Sequence, residues 1–330
     1  MKLKKKLIII GPGTLPIPII GENGWGGIEN TLTSILQELD ARGIDYTLIN
    51  DKDNYLEKVE LEVAKNDCII HCHYDDYAPL LKQKFGGKVP IIATSHSPFH
   101  SFRQTWNSGV ENHFKTLFNN IDGYFGQGVE ANNIAKEMNP SLKLGTCRCC
   151  VSEEKFIQNR VLQGNGRTLM LGKIEPRKNQ APIRNNFSDL PIDFVGAIAD
   201  GNFIDKEVYG NTRYLGCWSR NQVWSNLPKY SSLMCVSNFE GDVGVVKEAI
   251  ASGCNLILSP FSSININKDW SFVNILDGKT SAEDFRNIIR DSNSTNSLNR
   301  DKIYEIFDSN FSKRVVVDQY ISDLKEAFDA

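Results

Sequence analysis

Apolar residues fall along this chain in short unbroken runs, and polar stretches with helical spacing separate them. The runs are LIII (7–10), YTLI (46–49), CIIHCH (68–73), PIIAT (90–94) and GYFG (123–126). Between them, apolar positions recur every three to four residues from Ile28 to Arg42, Pro79 to Phe85, Glu111 to Asn119 and Glu130 to Met138. Apolar runs without alternation mark strands buried on both faces, and intervening helices are the crossovers that parallel strands require. A polar stretch near residues 150–166 breaks the pattern and reads as a connection. Alternation then resumes with TLMLG (168–172), IDFVG (192–196), RYLG (213–216), LMCVS (233–237), NLILS (255–259) and FVNIL (272–276), with the clearest helix from Gly244 to Ser252. Ser312 to Phe328 has helical spacing and reads as a terminal helix. The expectation is an α/β protein of two tandem Rossmann-like units with parallel sheets, at 1–155 and 156–311, followed by that helix at 312–330.

Composition narrows the function. The chain has 330 residues, enough for two cores. Lys plus Arg number 37 against 40 Asp plus Glu, a net charge of -3, which argues against a protein devoted to gripping nucleic acid. No apolar run approaches the roughly 20 residues that span a bilayer. The lysine-rich start MKLKKKLIII resembles a secretory leader, but its apolar run, Leu7 to Ile10, is shorter than the about 7–15 residues a leader uses. A cytoplasmic location is expected. The eight cysteines are too sparse for a disulfide scaffold and read as buried thiols. The cluster Cys147, Cys149 and Cys150 lacks a second pair at zinc spacing, so no metal site is expected.

Ligands of parallel sheets sit beyond the carboxyl ends of the strands, so the loops there carry the candidate chemistry, and two such domains in series imply a cleft. The first loop, GPGTLPIPIIGENGWGGIE, is glycine-rich, and Gly26 and Gly27 stand where a helix starts, a place suited to a phosphate. It is no dinucleotide fingerprint, because Pro16 takes the third glycine's place and the loop is too long. His71, His73, His96 and His100 belong to two neighbouring strand–loop segments, with His96 the best candidate for chemistry. Lys173, Arg177 and Lys178 lie in GKIEPRK after the strand at 168. Glu240 lies in a loop and Glu248 one turn into the next helix; the amides of Asp242, Val243, Gly244 and Val245 lie between them, ready for an anionic or hydroxylated ligand. Asp51-Lys52-Asp53 reads as a solvated loop.

Taken in order, GWGGIE (24–29), SHSPFH (95–100), GKIEPRK (172–178) and the Glu240/Glu248 pair resemble the retaining glycosyltransferases of GT-B fold, family four, over nearly the whole chain. The resemblance implies transfer of a hexose from a UDP- or GDP-sugar to a glycan, lipid-linked or other hydroxyl acceptor, as in polysaccharide biosynthesis. It implies no bound metal and no permanent cofactor. Gly26, Gly27, Lys173, Arg177, Lys178 and the Asp242–Val245 amides would serve the donor diphosphate, His96 and Glu240 the transferred sugar, and Glu248 the ribose. The acceptor would meet the first domain, with peripheral membrane contact through the N-terminal lysines. The sequence departs from the family at Lys173, where arginine is usual, and at EGDVG, where Asp242 replaces an aromatic. Those departures keep a non-catalytic sugar-nucleotide-binding relative in view, alongside a DNA-base glycosyltransferase and a sugar-nucleotide epimerase of the same fold.

Overall fold

The computed structural model describes residues 3–18 and 26–329. The chain divides into two compact units, the first running to Cys150 and taking in the segment from Lys313, the second being Val151–Ser312.

In the first unit, elements alternate as β1 (Lys6–Ile10), α1 (Gly27–Ala41), β2 (Tyr46–Ile49), α2 (Tyr55–Val63), β3 (Cys68–Cys72), α3 (Ala78–Phe85), β4 (Ile91–Ala93), α4 (Ser108–Asn119), β5 (Gly123–Gly126), α5 (Val129–Met138) and β6 (Lys143–Thr146). The six strands form one parallel sheet in the order β2-β1-β3-β4-β5-β6. Register follows burial: Ile8 lies between Thr47 and Ile70, and every residue of β3 is buried. Successive side chains of a strand point to opposite faces. Ile8, Ile10 and Ile70 therefore pack with Val59 and Leu81, while Leu7, Ile9 and Ile69 pack with Leu32, Ile35 and Leu36.

The second unit contains α6 (Glu154–Gln158), β7 (Thr168–Leu171), α7 (Gln180–Asn186), β8 (Ile192–Val195), β9 (Val208–Tyr209), β10 (Thr212–Tyr214), α8 (Arg220–Asn226), β11 (Ser232–Cys235), α9 (Gly244–Ala251), β12 (Asn255–Leu258), β13 (Val273–Ile275), α10 (Ala282–Ser294) and α11 (Asn296–Asn310). Its sheet runs β13-β12-β11-β7-β8-β10-β9. Neighbouring strands are parallel except β9 against β10, a short antiparallel edge. Leu169, Leu233 and Leu256 face one core, and Met170, Met234 and Ile257 the other.

The last helix, α12 (Lys313–Phe328), returns to the first unit. Val317, Tyr320, Ile321 and Leu324 bury against the Leu7–Ile9 face, each contributing about 1.5–3 kcal/mol. Polar bonds fix its register: Asp323 accepts from the Thr146 amide at 2.7 Å and Asp318 from Arg42 at 2.6 Å. Strand β6 and helices α2, α6, α10 and α11 extend the pattern beyond what the sequence runs predicted. Among the described residues, no helix is long and apolar enough to cross a membrane. The cysteines are free thiols, Cys217 exposed and the other seven buried.

Candidate functional site

Two loops at the carboxyl ends of adjacent strands of the second unit bring the charged candidates together. The loop after β7 turns through Pro176–Lys178 and ends at Asn179, whose backbone is left-handed (φ 58°). Asparagine tolerates that conformation, and here its side chain donates to Val236 O at 2.8 Å and Asn238 Oδ1 at 2.9 Å. The Asn238 amide answers by donating to Arg177 O at 2.8 Å. Gln180 holds the other limb, donating to the carbonyls of Gly172 and Lys173 at 3.2 and 3.3 Å. The basic loop is thus laced to the loop after β11 by side-chain amides that sequence reading overlooked.

Arg177 is the hub. Its guanidinium lies 2.8 Å from Glu175 and 3.1 Å from Glu240, and donates to Phe239 O at 2.9 Å. Lys178 is half-buried, its ammonium close over Gly172 at the end of β7. Lys173 is exposed. Glu240 is mostly buried, and its Oε1 is the atom that pairs with Arg177, at an angle that makes an ion pair without an aligned hydrogen bond.

Helix α9 begins at Gly244, with Val243 at its N-cap, a residue that has no side-chain acceptor for the first amides. Val245 is half-buried beside them. Glu248 projects one turn in, buried, and binds Arg220 at 2.7 Å. Arg220 opens α8, behind Ser219, which caps that helix in a reciprocal box with Gln222. The Arg220 Nε is buried without a partner, and the guanidinium lies over the Trp224 ring at 5.4 Å. Asp242 was expected to offer its backbone amide, and its side chain is fully buried in an ion pair with Lys247.

In the first unit, His96 follows β4 and reaches two partners. Gln127 Nε2 lies 3.0 Å from its Nδ1, and His73 Nδ1 lies 3.1 Å from its Nε2. With Gln127 donating, the His96 proton sits on Nε2 and points at His73. Both ring nitrogens are therefore engaged inside the unit. His71 is not a rim residue. It is buried within β3, where Thr94, which donates to Phe125 O, accepts from its Nε2 at 2.8 Å; Tyr320 hydroxyl then donates to Nδ1 at 2.7 Å. His71, His73 and Cys147 bring potential metal ligands within 4.8 Å of one another. Both His71 nitrogens are already bonded, so a metal there would have to displace Tyr320 or Thr94.

Burial, with His96 adding to it, lowers the His71 pKa to about 3, and burial holds His73 well below its ordinary value. Unfolding restores a pKa of about 6.5, so the unfolded chain binds more protons. Stability from these two neutral rings is complete above that value and is lost as pH falls below it. The expected loss is about 1.4 kcal/mol per pH unit for each ring. His113, raised by its bond to Asp75, contributes stability that is complete below about 6.5 and is lost as pH rises above it, so its window adjoins this one on the high side. Denaturation midpoints measured between pH 7 and 4.5 check this, and a flat profile contradicts it.

Gly26 is the N-cap of α1, with φ 116°, and Gly27 is exposed at the first helical position. The carboxylate of Glu29, in the first turn, lies against Gly26 and accepts from the Thr14 hydroxyl at 2.6 Å. The helix start thus already has an anion beside it, which the sequence reading did not include. Gly24 and Trp25 of the glycine motif lie outside the described residues.

No protein-family model matches the chain, and no curated protein matches it in sequence. Solved structures match it in fold. Sucrose-phosphate synthase (tll1590) from Thermosynechococcus elongatus superposes with a TM-score of 0.75 at 15% identity, covering 99% of this chain and 100% of the other. Anabaena Alr3699/HepE, solved in complex with UDP, gives 0.70 at 12% identity, covering 98% and 100%. AviGT4, a glycosyltransferase involved in avilamycin A biosynthesis, gives 0.64 at 12% identity, covering 99% of each. The chain has the two parallel-sheet α/β domains of GT-B glycosyltransferases.

Proposed function

We propose that the chain is a retaining glycosyltransferase of family-four type, moving a hexose from a UDP- or GDP-sugar to a hydroxyl acceptor. The observation that carries this reading is Glu240: a mostly buried carboxylate held at 3.1 Å by Arg177 in a lysine–arginine loop, at the carboxyl ends of β7 and β11. A sugar hydroxyl can donate to that carboxylate, and the nearby cations meet the charge that develops on a leaving diphosphate. Lys178 and Arg177 take that role, assisted by Lys173 and by the backbone amides from Asp242 to Val245. Glu248 takes the ribose hydroxyls, with Arg220 fixing its rotamer. The chemistry needs no metal, because these side chains and amides supply the positive charge. The UDP complex of a neighbour of the same fold supports a nucleotide-sugar donor. The acceptor in this reading is a glycan, a lipid-linked saccharide or another hydroxyl compound, and the setting cytoplasmic polysaccharide synthesis.

Glu248→Gln tests the donor site. Glutamine still accepts from Arg220, so the fold survives, which a melting curve verifies. Affinity for UDP or GDP, by calorimetry, is expected to fall at least tenfold. Unchanged affinity for both removes Glu248 from the site. A second reading, binding without turnover, is favoured by the ion pairs already occupying Glu240 and Glu248. Donor hydrolysis separates the two.

A further inference from the structure

The second unit contains a cavity of about 580 Å³ that none of the donor residues lines. Its walls include Asn165, Tyr214, Trp218, Asn226, Lys229 and Tyr230. Asn165 precedes β7 and Tyr230 precedes β11, whereas Lys173–Lys178 and Glu240 follow the carboxyl ends of those same strands. The Asn165 and Tyr230 wall of the cavity therefore lies at the opposite end of β7 and β11 from the donor loops, while Tyr214 and Trp218 come from the carboxyl end of β10.

The cavity is preformed. The Asn165 amide donates to Lys229 O at 2.8 Å, and the Tyr214 amide to Glu207 O at 2.8 Å, so the wall segments are bonded in pairs. Tyr230 is locked by its hydroxyl, which donates to Asp193 at 2.8 Å, and Tyr214 by its bond to Gly196 O at 3.0 Å. Trp218 stands 6.2 Å from Tyr230, ring to ring, at 50°. The half-buried rings of Tyr214 and Trp218, with Tyr230 itself buried, thus adjoin amide, ammonium and carboxylate groups.

That lining selects among ligand classes. An anion finds little here: Lys229 already donates to Asn226 at 2.9 Å and shares the wall with the acidic Glu207, and the neighbouring Arg167 and Arg213 both bind the Asp193 carboxylate. A lipid chain would strand the amides and charges. A neutral saccharide fits both halves, its C–H face on the rings and its hydroxyls on the polar groups, and the volume lies within the range of small-molecule sites. We propose that this cavity is a saccharide-binding site lined by none of the donor residues; its binding of a sugar stands by itself, and only the role of that sugar rests on the glycosyltransferase reading. It would hold a sugar residue of an acceptor or product glycan away from the reacting bond.

Maltose, cellobiose and N,N′-diacetylchitobiose serve as probes, titrated into the whole protein up to tens of millimolar. Tryptophan fluorescence and saturation-transfer NMR report binding. At least one disaccharide is expected to bind, with affinity roughly tenfold weaker in Trp218→Ala. The exposed pair Asn165→Ala/Lys229→Ala, which leaves the core untouched, is expected to weaken it as well. Saturating UDP leaves the affinity unchanged. Failure of all three sugars to bind, competition by UDP, or full affinity in both variants would overturn the proposal. Loss of nucleotide binding in Glu248→Gln bears only on the donor reading, so the two proposals fail separately.

Discussion

Lys178→Ala is expected to cut donor turnover about 100- to 1000-fold, the usual effect of removing one preorganised group that stabilises developing negative charge. The lysine sits half-buried at the end of β7, in a loop held by Asn179, Gln180 and Asn238 rather than by Lys178 itself. Its removal therefore leaves the loop standing, and the loss is expected in kcat with KM changing less. The measurement is hydrolysis of UDP-glucose and GDP-glucose, using whichever the unaltered protein turns over. A rate equal to that of the unaltered protein would take Lys178 out of the reaction. Arg177→Ala, by contrast, also unties Glu240 and Phe239, so it is expected to lower stability together with turnover.

The second large effect concerns the buried pair Asp242–Lys247. Lys247→Ala leaves a carboxylate buried without its cation, which costs about 3–5 kcal/mol. For a unit of this size the melting temperature is expected to fall by roughly 6–20 °C. The double replacement Asp242→Val/Lys247→Leu removes both charges and fills nearly the same space with apolar groups. A buried ion pair and a packed apolar pair of similar volume are often nearly equal in stability, so this double variant is expected to lose much less than either single one. Thermal denaturation of Asp242→Val, Lys247→Leu and the double variant measures this coupling. Additive losses would mean that the two side chains act separately. Donor hydrolysis by the double variant then shows whether the charged pair also serves the loop that carries Glu240.

Much of the architecture was legible because parallel strands buried on both faces must be apolar throughout. Leu7–Ile10, Cys68–Cys72 and Asn255–Leu258 could scarcely be anything else. Strand β6 was not legible: it is an edge strand reading KLGT, with Lys143 exposed and Gly145 small, so it gives no apolar run. β9 is two residues long and exists only by pairing with β10. Helices α10 and α11 have polar surfaces that dilute their apolar spacing.

The candidate groups in the second unit were read from strand ends and helix starts, which place residues without fixing their partners. Nothing in the sequence couples Arg220 to Glu248, since the contact depends on how α8 lies beside α9. Asp242 and Lys247 are five residues apart, a spacing that suggests no pair until the loop before α9 folds back. His71 and His73 looked equivalent, but they lie on the same side of β3 at different heights. Only the later one reaches His96, while the earlier is sealed under Tyr320.

The placement of Tyr320 has a consequence for synthesis. Helix α12 completes the core of the first unit, yet the whole second unit is made before it. A chain emerging from the ribosome therefore presents the Leu7–Ile9 face covered only by α1 until the last helix arrives. The second unit can close first, because its residues are contiguous. The half of the protein that is translated first is thus the one that finishes folding last, and it is the half more in need of protection from aggregation meanwhile.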